Sequence, residues 1–128
     1  QIQMEKKQII TANAPSPAGP YSQGIAADRF VFVAGQRPAD PKTGEIAEGI
    51  AAQTRQVIEN LASVLEAAGS SLEDVVRSTV YLSDIKYFAE MNAVYEKLMP
   101  KPYPARTTIG TQLRGILVEI DVIAIKKD

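Results

Sequence analysis

In LVEIDVIAI, residues 117–125, hydrophobic and polar positions alternate with the period of an extended chain. Val118, Ile120, Val122 and Ala124 fall on one side, and Leu117, Glu119, Asp121, Ile123 and Ile125 on the other. The first side is wholly apolar and predicts contact with helices. The second mixes two carboxylates with three large aliphatics, too apolar for open solvent and too charged for an ordinary core. The strand reads as part of one final extended element that begins behind Pro104, with Arg106 held at its mouth.

A helical period governs two other segments. From Gly49 to Ala68, Ile50, Thr54, Val57, Leu61, Val64, Leu65 and Ala68 recur on one stripe, and Gly69 stands where a left-handed cap belongs. In KYFAEMNAVYEKLM, Phe88, Met91, Tyr95 and Leu98 form a second stripe, stopped by Pro100 and Pro102. Between them, SSLED has the serine-to-acid spacing of a short capped turn, and VVRSTVYL, residues 75–82, reads as a strand. Near the start, KKQIIT predicts a short strand and NAPSPAGP an irregular loop. YSQGIAA and RFVFVAG then form a hairpin turning at Asp28, with Val31 and Val33 on one face and Phe30, Phe32 and Ala34 on the other. PADPKTGE is a turn-rich connection into the first helix.

The order β, β-hairpin, α, β, α, β supplies too few helices for both sides of a sheet. The expected class is α+β, a single mixed β-sheet with two helices packed on one face. The uncovered face is then expected to be a subunit interface whose acids line an enclosed cleft.

Composition removes most catalytic chemistries. The chain has 128 residues and contains neither cysteine nor histidine, so disulfides, thiolate nucleophiles, histidine bases and the usual zinc ligands are unavailable. Any reaction has to run on arginine, carboxylates, tyrosine, hydroxyls, amides, lysine or backbone. With 14 basic and 15 acidic residues spread along the chain, no basic block marks a nucleic-acid binder. There is no apolar run of membrane-spanning length, and the absence of cysteine fits a reducing cytoplasm, the expected location. One domain is predicted over residues 4–128: MEKKQII reads as a natural start, and Gln1 to Gln3 as a foreign remnant ahead of it.

Arg106 is the best-placed candidate anchor, because a guanidinium offers a charged fork that grips a carboxylate through two hydrogen bonds. A structural salt bridge or an exposed charge at a strand start is its alternative. Glu119 can orient water or steady a cation, or serve only in an interface ion pair. For Asp121, with the same orientation further from Arg106, the structural reading is favoured. Tyr21 can donate a hydrogen bond into a cleft or simply pack, and Asn92 can tie down a loop as well as a ligand.

NAPSPAGPYSQG, FVFVAGQRPADPKTGEI, MNAVYEKLM, YPARTT and LVEIDVIAI, in this order and in a histidine-free chain, resemble the reactive intermediate deaminases, the Rid or YjgF-like proteins. The resemblance covers the chain after Met4. It implies a chorismate-mutase-like fold, a homotrimer with clefts between subunits, and hydrolysis of 2-imino acids, 2-iminobutanoate and 2-iminopropanoate, to 2-oxo acids and ammonia without cofactor or metal. By position it implies that Arg106 binds the carboxylate, Glu119 works with the hydrolytic water and Tyr21 lines the cleft. Asn92 matches a polar helix position near the site, and Gly35 and Thr108 match positions offering backbone groups. The chain departs from the family pattern at Ala34, where many members have serine, and at Thr108, where one branch has cysteine. It also carries LRG in place of a longer, proline-containing loop. Two other classes stand beside this reading: a noncatalytic binding or sensor protein for small carboxylates, and, disfavoured by the balanced charge, an endoribonuclease or translation inhibitor.

Overall fold

A computed structural model of the chain describes residues 5–127; Met4 and the three residues before it lie outside them. In chain order the elements are β1 (Lys7–Ile9), β2 (Gly24–Ala27), β3 (Phe30–Gln36), α1 (Ile50–Ala67), β4 (Val75–Leu82), α2 (Phe88–Leu98), β5 (Ala105–Gly110) and β6 (Val118–Ile125), with short 3-10 turns ahead of β4 and α2. The six strands form one sheet in the order β1-β2-β3-β6-β4-β5. Only the β4–β5 pair is parallel. Both helices pack on one face, α1 against β3, β6 and α2, giving the expected mixed sheet covered on one side.

Local chemistry explains the boundaries. β2 turns into β3 through Asp28 and Arg29, with Asp28 at φ 55°, a left-handed conformation that aspartate tolerates better than most residues. α1 ends in a Schellman motif: the Gly69 N–H (φ 81°) donates to the Glu66 carbonyl and the Ser70 N–H to the Leu65 carbonyl, at 3.1 and 2.8 Å. α2 buries Met91, Val94 and Tyr95 and stops where Met99 turns extended ahead of Pro100, while Phe88, expected on the buried stripe, stays exposed at its first turn. Val118, Ile120, Val122 and Ala124 are all buried beneath the helices with Val31, Val33, Val57, Leu61 and Val80.

Two expectations need correction. Tyr21 belongs to the loop before β2 and not to the strand. Buried Gln23 gathers that loop: its Oε1 accepts from the Thr11 N–H at 2.8 Å, and its amide nitrogen reaches the carbonyls of Thr11, Ala14 and Pro15. The predicted single C-terminal strand is two strands that never pair with each other. β5 lies at the sheet edge, parallel to β4, while β6 inserts between β4 and β3. Thr111 and Leu117 bound the crossing. The Thr111 N–H donates to the Leu82 carbonyl at 2.8 Å and the Ser83 N–H to the Leu117 carbonyl at 3.0 Å, with Gly115 turning between them at φ 66°.

Candidate active site

Strand register sorts the candidate residues into two groups. Arg106 lies beside Ser78 and Thr108 beside Val80, and Ser78 and Val80 are fully buried on the helix side of β4. Glu119 lies beside Tyr81, and Asp121 beside Thr79, on the other side. Arg106 and Glu119 therefore occupy opposite faces of one sheet. The reading that put them along one strand is replaced by this one, because the Thr111–Leu117 crossing separates their strands by the width of β4.

On the helix side, the Arg106 guanidinium carbon stands 4.7 Å from the Tyr95 ring centre and 5.6 Å from that of Phe88. Such stacking holds the planar fork without occupying its N–H donors. Among the described residues no carboxylate comes within 4.0 Å of it, so the salt-bridge alternative finds no support. The Tyr95 hydroxyl shares a 2.7 Å hydrogen bond with buried Ser78. Burial pushes the Tyr95 phenol upward, with the Ser78 hydrogen bond and the Arg106 charge pulling the other way. A cavity of about 380 Å³ opens between Arg106, Asn92, Tyr95, Glu96, Tyr103 and Pro104. Thr108 Oγ1 is buried with no hydrogen-bond partner among the described residues, an arrangement that costs free energy until something pairs with it.

On the open face, a β-bulge between Val33 and Gln36 sets the second group. The Glu119 carboxylate rests against Gly35: a Cβ there would fall on Glu119 Oε2 and stand 3.0 Å from Cδ. A side chain at this position would displace the Glu119 carboxylate from where it rests. Burial raises the Glu119 carboxyl above the usual range, Arg37 pulls it back, and Asp121 adds to the rise. Asp121 has a structural partner, accepting a 2.8 Å hydrogen bond from the Tyr81 hydroxyl. That bond, with burial and the two nearby carboxylates, raises the Tyr81 phenol. Tyr21 is half exposed, and its hydroxyl accepts from the Ala18 N–H at 3.2 Å. A cavity of about 390 Å³ joins Tyr21 and Glu119 to Ala18, Arg37, Gln112, Leu113, Arg114 and Ile116.

The structure thus gathers Arg106 and Asn92 at one cavity, with Thr108 two residues further along the same face of β5, and Tyr21, Gly35 and Glu119 at another place. Sequence reading missed Tyr95 as the seat of Arg106, and Arg37 and Arg114 beside Glu119. In the sequence, Tyr95 shows only as a member of the helix stripe. The lone glycine inside the FVFVAGQ strand was the available signal for the bulge that turns Arg37 toward the cavity.

Comparison with known proteins gives the family and the fold. The family model described as endoribonuclease L-PSP matches residues 11–126. A RutC family protein of Pyrococcus horikoshii is 52% identical, over 95% of this chain and 99% of its own length. The 2-iminobutanoate/2-iminopropanoate deaminase of Salmonella typhimurium is 40% identical over 94% of this chain and 98% of its own. Among solved structures, yeast YEO7 superposes with a TM-score of 0.92 at 36% identity, covering 96% of this chain and all of its own. E. coli TdcF with bound serine superposes at 0.90 and 35%, covering 94% and 99%. With both sequence and fold matched over nearly its whole length, the chain belongs to the endoribonuclease L-PSP family, that is, to the YjgF/Rid proteins.

Proposed function

We propose that the protein hydrolyses reactive 2-imino acids, 2-iminobutanoate and 2-iminopropanoate among them, to 2-oxo acids and ammonia, in a cleft completed by a second copy of the chain. The observation that carries the reading is the guanidinium of Arg106, stacked on Tyr95 at the mouth of a cavity with no carboxylate partner among the described residues. A relative 40% identical over nearly the whole chain is named for this activity, and a structural relative holds serine, a small amino acid of similar size.

The chemistry asks for little. Arg106 binds the substrate carboxylate through its fork, which fixes the imine carbon relative to the site. A protonated imine is already electrophilic. Glu119 orients a water and accepts a proton from it as its oxygen bonds to carbon, while the C=N π pair returns to nitrogen. The resulting carbinolamine collapses: nitrogen takes a proton back and leaves as ammonia, and the hydroxyl, losing its own proton, becomes the carbonyl of the 2-oxo acid. Asn92 lines the same cavity as Arg106 and can hydrogen-bond the same small molecule, and Thr108 follows Arg106 on the same face of β5.

A single chain keeps Arg106 and Glu119 on opposite faces, so one small substrate meets both only if another copy brings its β5 edge to the open face. That face exposes Phe30, Phe32, Ile109 and Ile125, apolar surface that association would cover. A head-to-tail contact whose rotation closes makes a ring, and the reading is a homotrimer with three equivalent clefts. Enzymatically generated 2-iminobutanoate, trapped by semicarbazide, tests the activity: exhaustively chelated protein is expected to diminish the semicarbazone signal. An unchanged signal would leave a binding protein for small carboxylates.

A further inference from the structure

The cavity beside Glu119 carries more positive charge than a monocarboxylic substrate uses. We propose that Arg37 and Arg114 form a second anion subsite there, fitting the protein to 2-imino acids whose side chain ends in another carboxylate. This specificity rests on the deaminase reading above and deepens it.

Both arginines line the 390 Å³ cavity with Tyr21 and Glu119, and the Arg37 Nη2 donates to the Arg114 carbonyl at 3.4 Å, joining two segments 77 residues apart. Their backbones are anchored by two buried amides of α1 that lie two turns apart on the same side of the helix. Asn60, 1% exposed, donates from Nδ2 to the carbonyls of Arg37 and Ala39, each at 3.0 Å. Gln53, 5% exposed, accepts from the Leu117 N–H at 2.8 Å and so holds the end of the crossing that carries Arg114. Gly115, at φ 66°, makes the adjacent turn. Buried polar side chains fix these segments, although the guanidinium groups themselves are at the surface.

Among the described residues neither arginine has a carboxylate within 4.0 Å, and the one acid lining the cavity is Glu119. Arg37 acts on Glu119 at longer range, lowering its carboxyl against the effect of burial. That interaction accounts for one guanidinium and leaves Arg114 without a counter-charge among the described residues. Once Arg106 of another copy has taken the substrate's first carboxylate, a second carboxylate one or two methylene groups from the imine carbon balances the remainder. An alkyl side chain leaves it unbalanced.

The test compares 2-iminoglutarate, released from glutamate by an amino-acid oxidase, with 2-iminobutanoate released in the same way. The wild-type ratio of kcat/KM, dicarboxylic over monocarboxylic, is expected to exceed one by about tenfold, and Arg37→Gln and Arg114→Gln should each lower it at least ~5-fold. The ratio is the readout because losses common to both substrates, including any through Glu119, cancel in it. Calorimetric titration with 2-oxoglutarate and 2-oxobutyrate supplies a readout independent of turnover. If neither imine is hydrolysed but 2-oxoglutarate binds the more tightly, and less so in both variants, the subsite stands and the deaminase reading falls. If 2-iminobutanoate is hydrolysed with a ratio of one or below, or a ratio that both variants leave unchanged, the subsite is overturned and the deaminase reading survives. Absence of turnover together with equal binding overturns both.

Discussion

The two sides of β6 differ by one residue in register and by everything in their surroundings. Val118, Ile120, Val122 and Ala124 are at most 2% exposed, packed under the helices, while Glu119, Asp121 and Ile123 are only partly covered on the other side. On the helix side each residue contributes through burial and shape. Across the strand, Glu119 is held above its ordinary carboxylate range by burial, and Asp121 is engaged with Tyr81. Half-covered charge of this kind is a cost to the folded chain that a site can use.

The comparison breaks most visibly on the buried side. Ile120→Ala should cost about 2–5 kcal/mol, as large-to-small core substitutions do, with denaturant titration as the measurement. Glu119→Gln should do the reverse: turnover of 2-iminobutanoate falls roughly 100-fold, in keeping with loss of a general base, while binding of 2-oxobutyrate is retained. The folded chain should be as stable as the parent at neutral pH or more so. The sign follows from the direction of the shift. A carboxyl whose folded value lies above its unfolded one binds its proton more tightly in the fold, so stability is lost as pH rises through the interval between them. The glutamine carries no such loss, and its advantage should vanish below the ordinary value of 4.5, where both states are protonated. In the parent, the acid limb of the pH–kcat/KM profile should have its midpoint above that same value.

Arg106→Lys sharpens the contrast within the site, because it keeps the charge and removes the fork stacked on Tyr95. Activity should drop at least ~10-fold, about 1.4 kcal/mol in transition-state terms, with thermal unfolding little changed. The smallest effect belongs to Asp121→Asn. An asparagine oxygen can still accept from Tyr81, so turnover and stability should both stay within about 0.5 kcal/mol of the parent.

Much of this contrast is written in the sequence. Alternation in LVEIDVIAI gives the buried face of β6 residue by residue, since burial and side-chain direction share one period. The helix stripes and the Gly69 cap are equally local. What escaped is long-range. Nothing in TTIGTQLRGIL says that β6 must cross to the far side of β4, because that position is set by its pairing with β3 and β4, strands far away in the sequence. Arg106 and Glu119 could be picked out as candidates without it, but not assigned to faces. Tyr21, Gly35 and Glu119 meet only because the bulge and the loop around Gln23 bring three separate segments together.

The measurement closest to the central claim mixes two inactive variants. Arg106→Ala and Glu119→Ala chains, unfolded together and reassembled at equal amounts, give oligomers in which some clefts draw Arg106 from one copy and Glu119 from another. If each cleft is shared between neighbouring copies, random assembly leaves about a quarter of clefts intact, so 2-iminobutanoate turnover should return to roughly a quarter of the wild-type rate. If Arg106 and Glu119 of the same chain served one site, every cleft would carry a defect. The mixture would then stay as inactive as either variant alone, contradicting the shared cleft.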